Sequence, residues 1–256
     1  MSIKTPKLTV VGAGPGDVDL ITVKAIKVLK TADVVLYDAL VNEELLAYIN
    51  PEAEQIFVGK RRGCYTYQQE QINELIVARA KASGHVVRLK GGDPFIFGRG
   101  AEEMEYAANL GLEVAVVPGI SSSLAVPAYQ NIPLTKRGSA ESFWVITGTT
   151  KDHKISNDIE LAAKSNATIV VLMGMSKLPQ IVKLMKIENK NNLPVAIIQR
   201  GTTSREKVGI GTVDTIEKIV ADNELKNPAI IVLGEVVKHR DLLNKVREKE
   251  ALNRLL

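Results

Sequence analysis

The chain has 256 residues, enough for one large or two small domains, and its 45% hydrophobic and 24% charged content is that of an ordinary soluble globular protein. No apolar run reaches membrane-spanning length and no basic-then-apolar leader ends in small residues, so a cytoplasmic location is expected; a single cysteine, Cys64, rules out an internal disulfide. The net charge of +4 suits a polyanionic ligand as readily as it serves solubility, and 4% aromatic content speaks against base-stacking recognition of single-stranded nucleic acid.

The first half alternates strands and helices. Leu8–Val11 reads as a short apolar strand, and Leu20–Leu29 carries apolar residues at helical spacing. Val34–Tyr37 is a second strand, ending at Asp38. Glu43–Ile49 is a short helix stopped by Pro51, and Gln55–Val58 a third strand. A long helix is expected over Thr66–Ser83, with Thr66 and Gln69 as a capping box and Gly84 past its end. His85–Leu89 is a fourth strand running into Gly91-Gly92-Asp93-Pro94. Glu102–Leu110 is a helix closed by Gly111, and Val114–Val117 a fifth strand. Repeated βα units of this kind predict an α/β domain with a mostly parallel sheet.

Pro118-Gly119 marks a break. After a helical stretch around Ser122–Ala128 come the strands Phe143–Thr147, Thr168–Leu172 and Val195–Ile198. The alternation and glycines of Val208–Ile216 suggest an antiparallel hairpin before the next helix, and Ala229–Leu233 is the last core strand. The expected organisation is an α/β domain over residues 1–118, a second α/β domain with a mixed sheet over 119–240, and a charged amphipathic helix over 241–256.

The first glycine loop, Gly12-Ala13-Gly14-Pro15-Gly16-Asp17, invites comparison with the dinucleotide fingerprint G-x-G-x-x-G. Gly12 and Gly14 match, but the third position is Asp17, and Pro15 removes a backbone N–H from a loop that would need such donors to hold phosphate. Asp17 is better explained as a helix cap. Asp38, at the end of the second strand, imitates the ribose-binding acid of that fold, so an NAD-binding reading stays open on pattern alone.

The second glycine region is more specific. "VVRLKGGDPFIFGRGAEE" at Val86–Glu103 resembles the signature of the tetrapyrrole methylases, within them the branch acting on uroporphyrinogen III. The segments "VGAGPGDVDLITVKA", "ADVVLYDALV", "VGKRRG", "VPGISSSLAVPAYQNIPLTKR" and "NPAIIVLGEVV" agree in order, over roughly residues 7 to 238. Departures stand at Ala101, Thr149, Leu172 and the Ser122-Ser123 pair, and none removes a charged catalytic group.

The resemblance implies two α/β domains with S-adenosylmethionine in a cleft between them, in contact with Pro15, Gly91, Gly92, Asp93, Ile96, Ser121, Ser122, Met173, Gly201 and Ala229. It implies Asp38 as proton acceptor and Lys60 as proton donor in two successive C-methylations that give precorrin-2 and S-adenosylhomocysteine. Arg61, Arg88 and Arg99 are the candidates for the substrate carboxylates, which a guanidinium fork can bind through both oxygens; Arg62, Lys90, Lys136 and Arg137 are further cations in reach. On residue type alone Asp93 could instead cap its own turn, and Asp38 could orient a substrate N–H without taking a proton. A stand-alone enzyme, without the dehydrogenase and chelatase module fused to some relatives, is expected, and so is a homodimer. No metal site is expected, because His85, His153 and His239 are scattered and Cys64 has no partner at ligand spacing. A methylase for a later corrin precursor, for diphthine or for ribosomal RNA, and a non-catalytic tetrapyrrole-binding protein, are the alternatives.

Overall fold

The computed structural model describes residues 4–59 and 67–243. The chain divides after Ser122 into two compact units.

In the first unit the described elements are β1 (Lys7–Gly12), α1 (Val23–Leu29), β2 (Val34–Tyr37), β3 (Glu54–Phe57), α2 (Gln69–Ser83), β4 (His85–Lys90), α3 (Gly100–Asn109) and β5 (Glu113–Val117). The five strands form a wholly parallel sheet in the order β3-β2-β4-β1-β5. The period of two sends Leu8, Val10, Val34, Leu36 and Val86 to the face covered by α2 and α3, while Val11, Val35, Val87 and Leu89 meet Ala25 and Leu29 of α1 on the other. The central strands are therefore apolar on both faces, as a covered parallel sheet requires.

Helix starts differ from the sequence expectation for local reasons. The run expected from Leu20 is a 3-10 turn over Val18–Leu20, capped by Asp17, followed by α1, whose cap is Thr22: its Oγ1 accepts from the Ala25 N–H at 3.1 Å. Glu43–Tyr48 is a 3-10 helix, begun by Asn42. The capping box of α2 is made by Gln68 and Gln71, and the expected cap Thr66 lies outside the described residues. The helix expected from Glu102 begins two residues earlier, at Gly100.

The second unit begins within α4 (Ser122–Tyr129) and contains β6 (Phe143–Thr147), α5 (Asp158–Lys164), β7 (Thr168–Leu172), α6 (Leu178–Ile187), β8 (Pro194–Gln199), β9 (Lys207–Thr212), α7 (Ile216–Asp222) and β10 (Ala229–Leu233). Its sheet is mixed, in the order β6-β7-β10-β8-β9; only β6 and β7 are parallel. Ile159, Ile181, Met185 and Ile216 cover one face; Val126, Ile132, Val236 and Val237 cover the other.

The hairpin expected within Val208–Ile216 is instead β8 paired with β9, and Val213–Thr215 turn into α7. Gly209 and Gly211 are not turn residues. They make room for the neighbouring helix, since a Cβ there would lie 2.7 Å from Leu225 Cδ1 and 2.5 Å from Ile219 Cδ1. The expected terminal helix falls largely outside the described residues.

Candidate active site

All five strands of the first sheet end at one edge, so the loops after Gly12, Tyr37, Phe57, Lys90 and Val117 gather there. The loop after β1 leads to α1 on one face, and the loop after β4 leads to α3 on the other. Where two neighbouring loops part to opposite faces of an open parallel sheet, a crevice forms outside the strand ends and ligands bind in it.

At that point the loops lock onto one another through backbone. Gly14 N–H donates to Gly92 O at 3.2 Å, and Gly92 N–H returns a bond to Gly14 O at 2.7 Å. Ala13 N–H is taken by Lys90 O at 2.8 Å. With those donors spent and Pro15 lacking one, the loop has little left for a pyrophosphate. Gly12 serves close approach: a Cβ there would stand 2.5 Å from Gly119 Cα and 2.7 Å from Gly92 O. The glycines fit loop against loop, and the edge suits a ligand without phosphate.

Asp93 ties two of these loops. Its Oδ1 accepts from Phe95 N–H at 2.8 Å and its Oδ2 from Gly119 N–H at 3.1 Å. The turn-capping reading of Asp93 therefore describes part of what it does, and lone pairs remain on both oxygens for a ligand. Pro15, Gly91 and Gly92 lie half-buried on the same edge, Ser121 is buried beyond Gly119, and Ser122, half-buried, opens α4; Ile96 is 43% exposed.

Asp38 follows β2. Its Oδ1 accepts from Leu40 N–H at 3.0 Å, and its Oδ2 lies 3.6 Å from Arg88 Nη2. The Asp38 side chain keeps 24% of its surface open, against 4% for Arg88. Arg88, a candidate for the substrate carboxylates, thus stands behind Asp38 at this edge. Its guanidinium is buried and engaged, by Nε to Glu103 Oε1 at 3.2 Å and by Nη1 to Leu89 O at 3.0 Å. Lys90 is likewise buried, with Nζ 3.0 and 3.1 Å from the two Glu103 oxygens. Its ammonium is held below the usual lysine range, first by burial and then by Arg88, with Glu103 and Asp38 pulling the other way.

Glu103 was missed by sequence reasoning. The signal was available: Gly100, Glu103 and Ala107 form the buried stripe of α3 at helical spacing. Arg99, by contrast, is on the surface, bonded to Glu102 at 2.6 Å, which raises its affinity for the proton despite slight burial. Lys60 and Arg61 lie outside the described residues.

In the second unit, Met173 follows β7, Gly201 follows β8 and Ala229 opens β10. Because β10 runs antiparallel to both neighbours, all three fall on one edge of that sheet. Met173 has φ 55° and is 50% exposed, so its side chain is not core. Gly201 is flanked by Arg200 and Thr202, also at positive φ, and a Cβ on it would meet Val126 Cγ1 at 2.3 Å. The Thr202 N–H is held by Glu206 Oε2 at 2.9 Å, which pins this loop.

The family model for tetrapyrrole (corrin/porphyrin) methylases matches residues 7–217. The chain belongs to that family. This tetrapyrrole methylase is 46% identical over 240 residues to the uroporphyrinogen-III C-methyltransferase of Methanocaldococcus jannaschii, covering 93% of this chain and 99% of that one. It is 44% identical over 234 residues to the siroheme synthase of Methylobacillus flagellatus, of whose length it spans 50%. Among solved structures, the uroporphyrin-III C-methyltransferase of Thermus thermophilus complexed with S-adenosylhomocysteine superposes with TM-score 0.79 at 38% identity, covering 91% of this methylase and 99% of that chain. A cobalt precorrin-4 methyltransferase superposes with TM-score 0.80 at 28% identity, over 90% of this chain and 95% of that one.

Proposed function

We propose that the chain is an S-adenosylmethionine-dependent C-methyltransferase that converts uroporphyrinogen III to precorrin-2 in two successive methylations, by way of precorrin-1. The observation that carries this reading is the 46% identity to a uroporphyrinogen-III C-methyltransferase along 99% of that relative's length. The edge of glycine loops agrees with it, because S-adenosylmethionine carries no phosphate.

The donor is assigned to Pro15, Gly91, Gly92, Asp93, Ile96, Ser121 and Ser122, and in the second unit to Met173, Gly201 and Ala229. S-adenosylmethionine supplies a methyl group already activated by a sulfonium leaving group. The protein's task is then to align the pyrrole carbon with that methyl and to exclude water. Asp38 is assigned as proton acceptor: it is partly open, with one oxygen bonded to the Leu40 N–H and the other facing Arg88. Lys60 is assigned as proton donor. Arg61 and Arg99 are assigned to the substrate carboxylates, Arg99 after exchanging its surface partner Glu102. A cytoplasmic homodimer acting in siroheme-type synthesis completes the reading; among the described residues no helix is long and apolar enough to cross a membrane.

Incubation of the purified chain with S-adenosylmethionine and uroporphyrinogen III tests it. The expected product has gained two methyl groups, with two equivalents of S-adenosylhomocysteine released. The likeness to a cobalt precorrin-4 methyltransferase makes a later corrin precursor the second reading, and methylation of that precursor with none of uroporphyrinogen III would replace the first.

A further inference from the structure

Arg88 and Lys90 stand two residues apart on the central strand β4, so the pleat places both on the face of Val86, under α2 and α3. Buried cations in the middle of a sheet are costly unless an anion meets them. Glu103, fully buried in the first turn of α3, is that anion. Its Oε1 accepts from Arg88 Nε at 3.2 Å, Lys90 Nζ at 3.0 Å and Gln69 Nε2 at 3.1 Å; its Oε2 accepts from Lys90 Nζ at 3.1 Å. The Arg88 fork is thereby fixed at Nε, and at Nη1 by Leu89 O, which leaves Nη2 as the edge turned to Asp38. The charged groups around Glu103 are Arg88 and Lys90 from β4 and Asp38 from the end of β2, with Arg99 and Glu102 on the solvent side of the same helical turn and Glu70 of α2 acting on Arg99.

We propose that Glu103 is a positioning residue for methyl transfer: it clamps Arg88 from the buried side so that the guanidinium holds the Asp38 carboxylate in its reacting orientation. This rests on the reading of Asp38 as the group that handles the substrate's proton. Glu103 is fully buried and acts through Arg88.

Glu103→Gln keeps the shape of the side chain and removes its charge. The expected result is a fall in kcat of about 10- to 100-fold with KM for S-adenosylmethionine changed less than about threefold, the pattern of a misplaced reacting group rather than lost binding. In an Arg88→Met background the same change should lower kcat no further, since the path to Asp38 is already cut. A nitrogen-15 NMR titration of the Lys90 ammonium adds a readout independent of turnover: Glu103 opposes the effect of burial there, so its midpoint should move down in Glu103→Gln.

Unchanged kcat in Glu103→Gln overturns the proposal, as does an equal fall with and without Arg88, which would make Glu103 a packing residue only. Should Glu103→Gln not fold, Glu103→Asp keeps the charge but shortens the reach by one methylene, and full kcat in that variant overturns the proposal as well. Wild-type protein that binds S-adenosylmethionine yet leaves uroporphyrinogen III unmethylated overturns the functional reading itself, and this inference with it; an active wild type beside an unaffected Glu103→Gln overturns the inference alone.

Discussion

Gly12 and Gly119 meet with no side chain between them: a Cβ added to Gly12 would stand 2.5 Å from the Cα of Gly119, and one added to Gly119 would stand 2.7 Å from the Cα of Gly12. The contact joins the ends of β1 and β5, beside the loop that carries Asp93. Alanine at either position has to push backbone aside. Gly12→Ala and Gly119→Ala should each cost about 1–3 kcal/mol of unfolding free energy. Gly111→Ala is the control, because a Cβ there meets nothing within 4 Å and only its φ of 83° is strained, at a cost of about 1–2 kcal/mol. Urea unfolding checks the ranking, and the glycine pair should also lose donor affinity where Gly111→Ala does not.

Asp38→Asn keeps the hydrogen bond from the Leu40 N–H but cannot accept a proton at the pH of the reaction. Turnover of uroporphyrinogen III should fall about 10²- to 10⁴-fold, the range for loss of a general acid–base group. Titration calorimetry should find S-adenosylmethionine affinity unchanged. Turnover at the wild-type level would leave Asp38 an orienting role at most.

Asp93→Asn bears on the tie between the β4 and β5 loops. The amide oxygen can keep the Phe95 N–H, but the amide nitrogen then faces the Gly119 N–H, donor against donor. Losing a charge-assisted bond and leaving that N–H unmet should cost about 1–3 kcal/mol in unfolding experiments. The affinity for S-adenosylhomocysteine should drop about tenfold or more, the equivalent of roughly 1.4 kcal/mol. Full stability and full affinity together would exclude both roles.

The opposite end of β4 carries a pH response. His85 binds Thr9 Oγ1 through Nε2 at 2.8 Å, and burial, aided by Lys7, lowers its proton affinity below the ordinary value of 6.5 despite the Thr31 carbonyl and Asp33. A histidine that is harder to protonate folded than unfolded stabilises the fold above its unfolded value, and that contribution is lost as the pH falls below about 6.5. Asp33 adds to the loss at lower pH. Burial would raise its affinity for the proton, but the His85 N–H and Lys4 outweigh it, so its carboxylate is favoured in the folded state. Urea midpoints should fall between pH 7.5 and 5.5, and His85→Gln should flatten that part of the curve.

Strands were legible in the sequence where an apolar run ends at a residue that breaks it. Val34–Tyr37 stops before Asp38, and Phe143–Thr147, Thr168–Leu172 and Ala229–Leu233 have the bounds their patterns suggested. Helix starts were less so, because apolar spacing marks a stripe while the first turn is set by a side chain reaching for an N–H, as Thr22 and Gln68 do. Helices α5 and α6 went unread between short polar segments, although Ile159, Ile181 and Met185 are central to the core of their unit. In the candidate site, Asp38 and the glycine edge could be read. Arg88 could not be placed, because a charge in a strand does not reveal its partner. Glu102 and Glu103 are neighbours in sequence, yet the Glu102 side chain is 55% exposed and that of Glu103 is fully covered; only the phase of α3 separates them.

The bare backbone contact of Gly12 with Gly119, both also against the Gly92 carbonyl, limits how such an edge can evolve. Loops that touch without side chains have no rotamers with which to absorb a substitution, so a larger residue in one demands a compensating change in another at the same step. New substrate preference is more accessible through exposed side chains around this keystone, such as Ile96 and Arg99. Gly12 and Gly119 are thereby coupled: a side chain at one has to be met by a shift at the other.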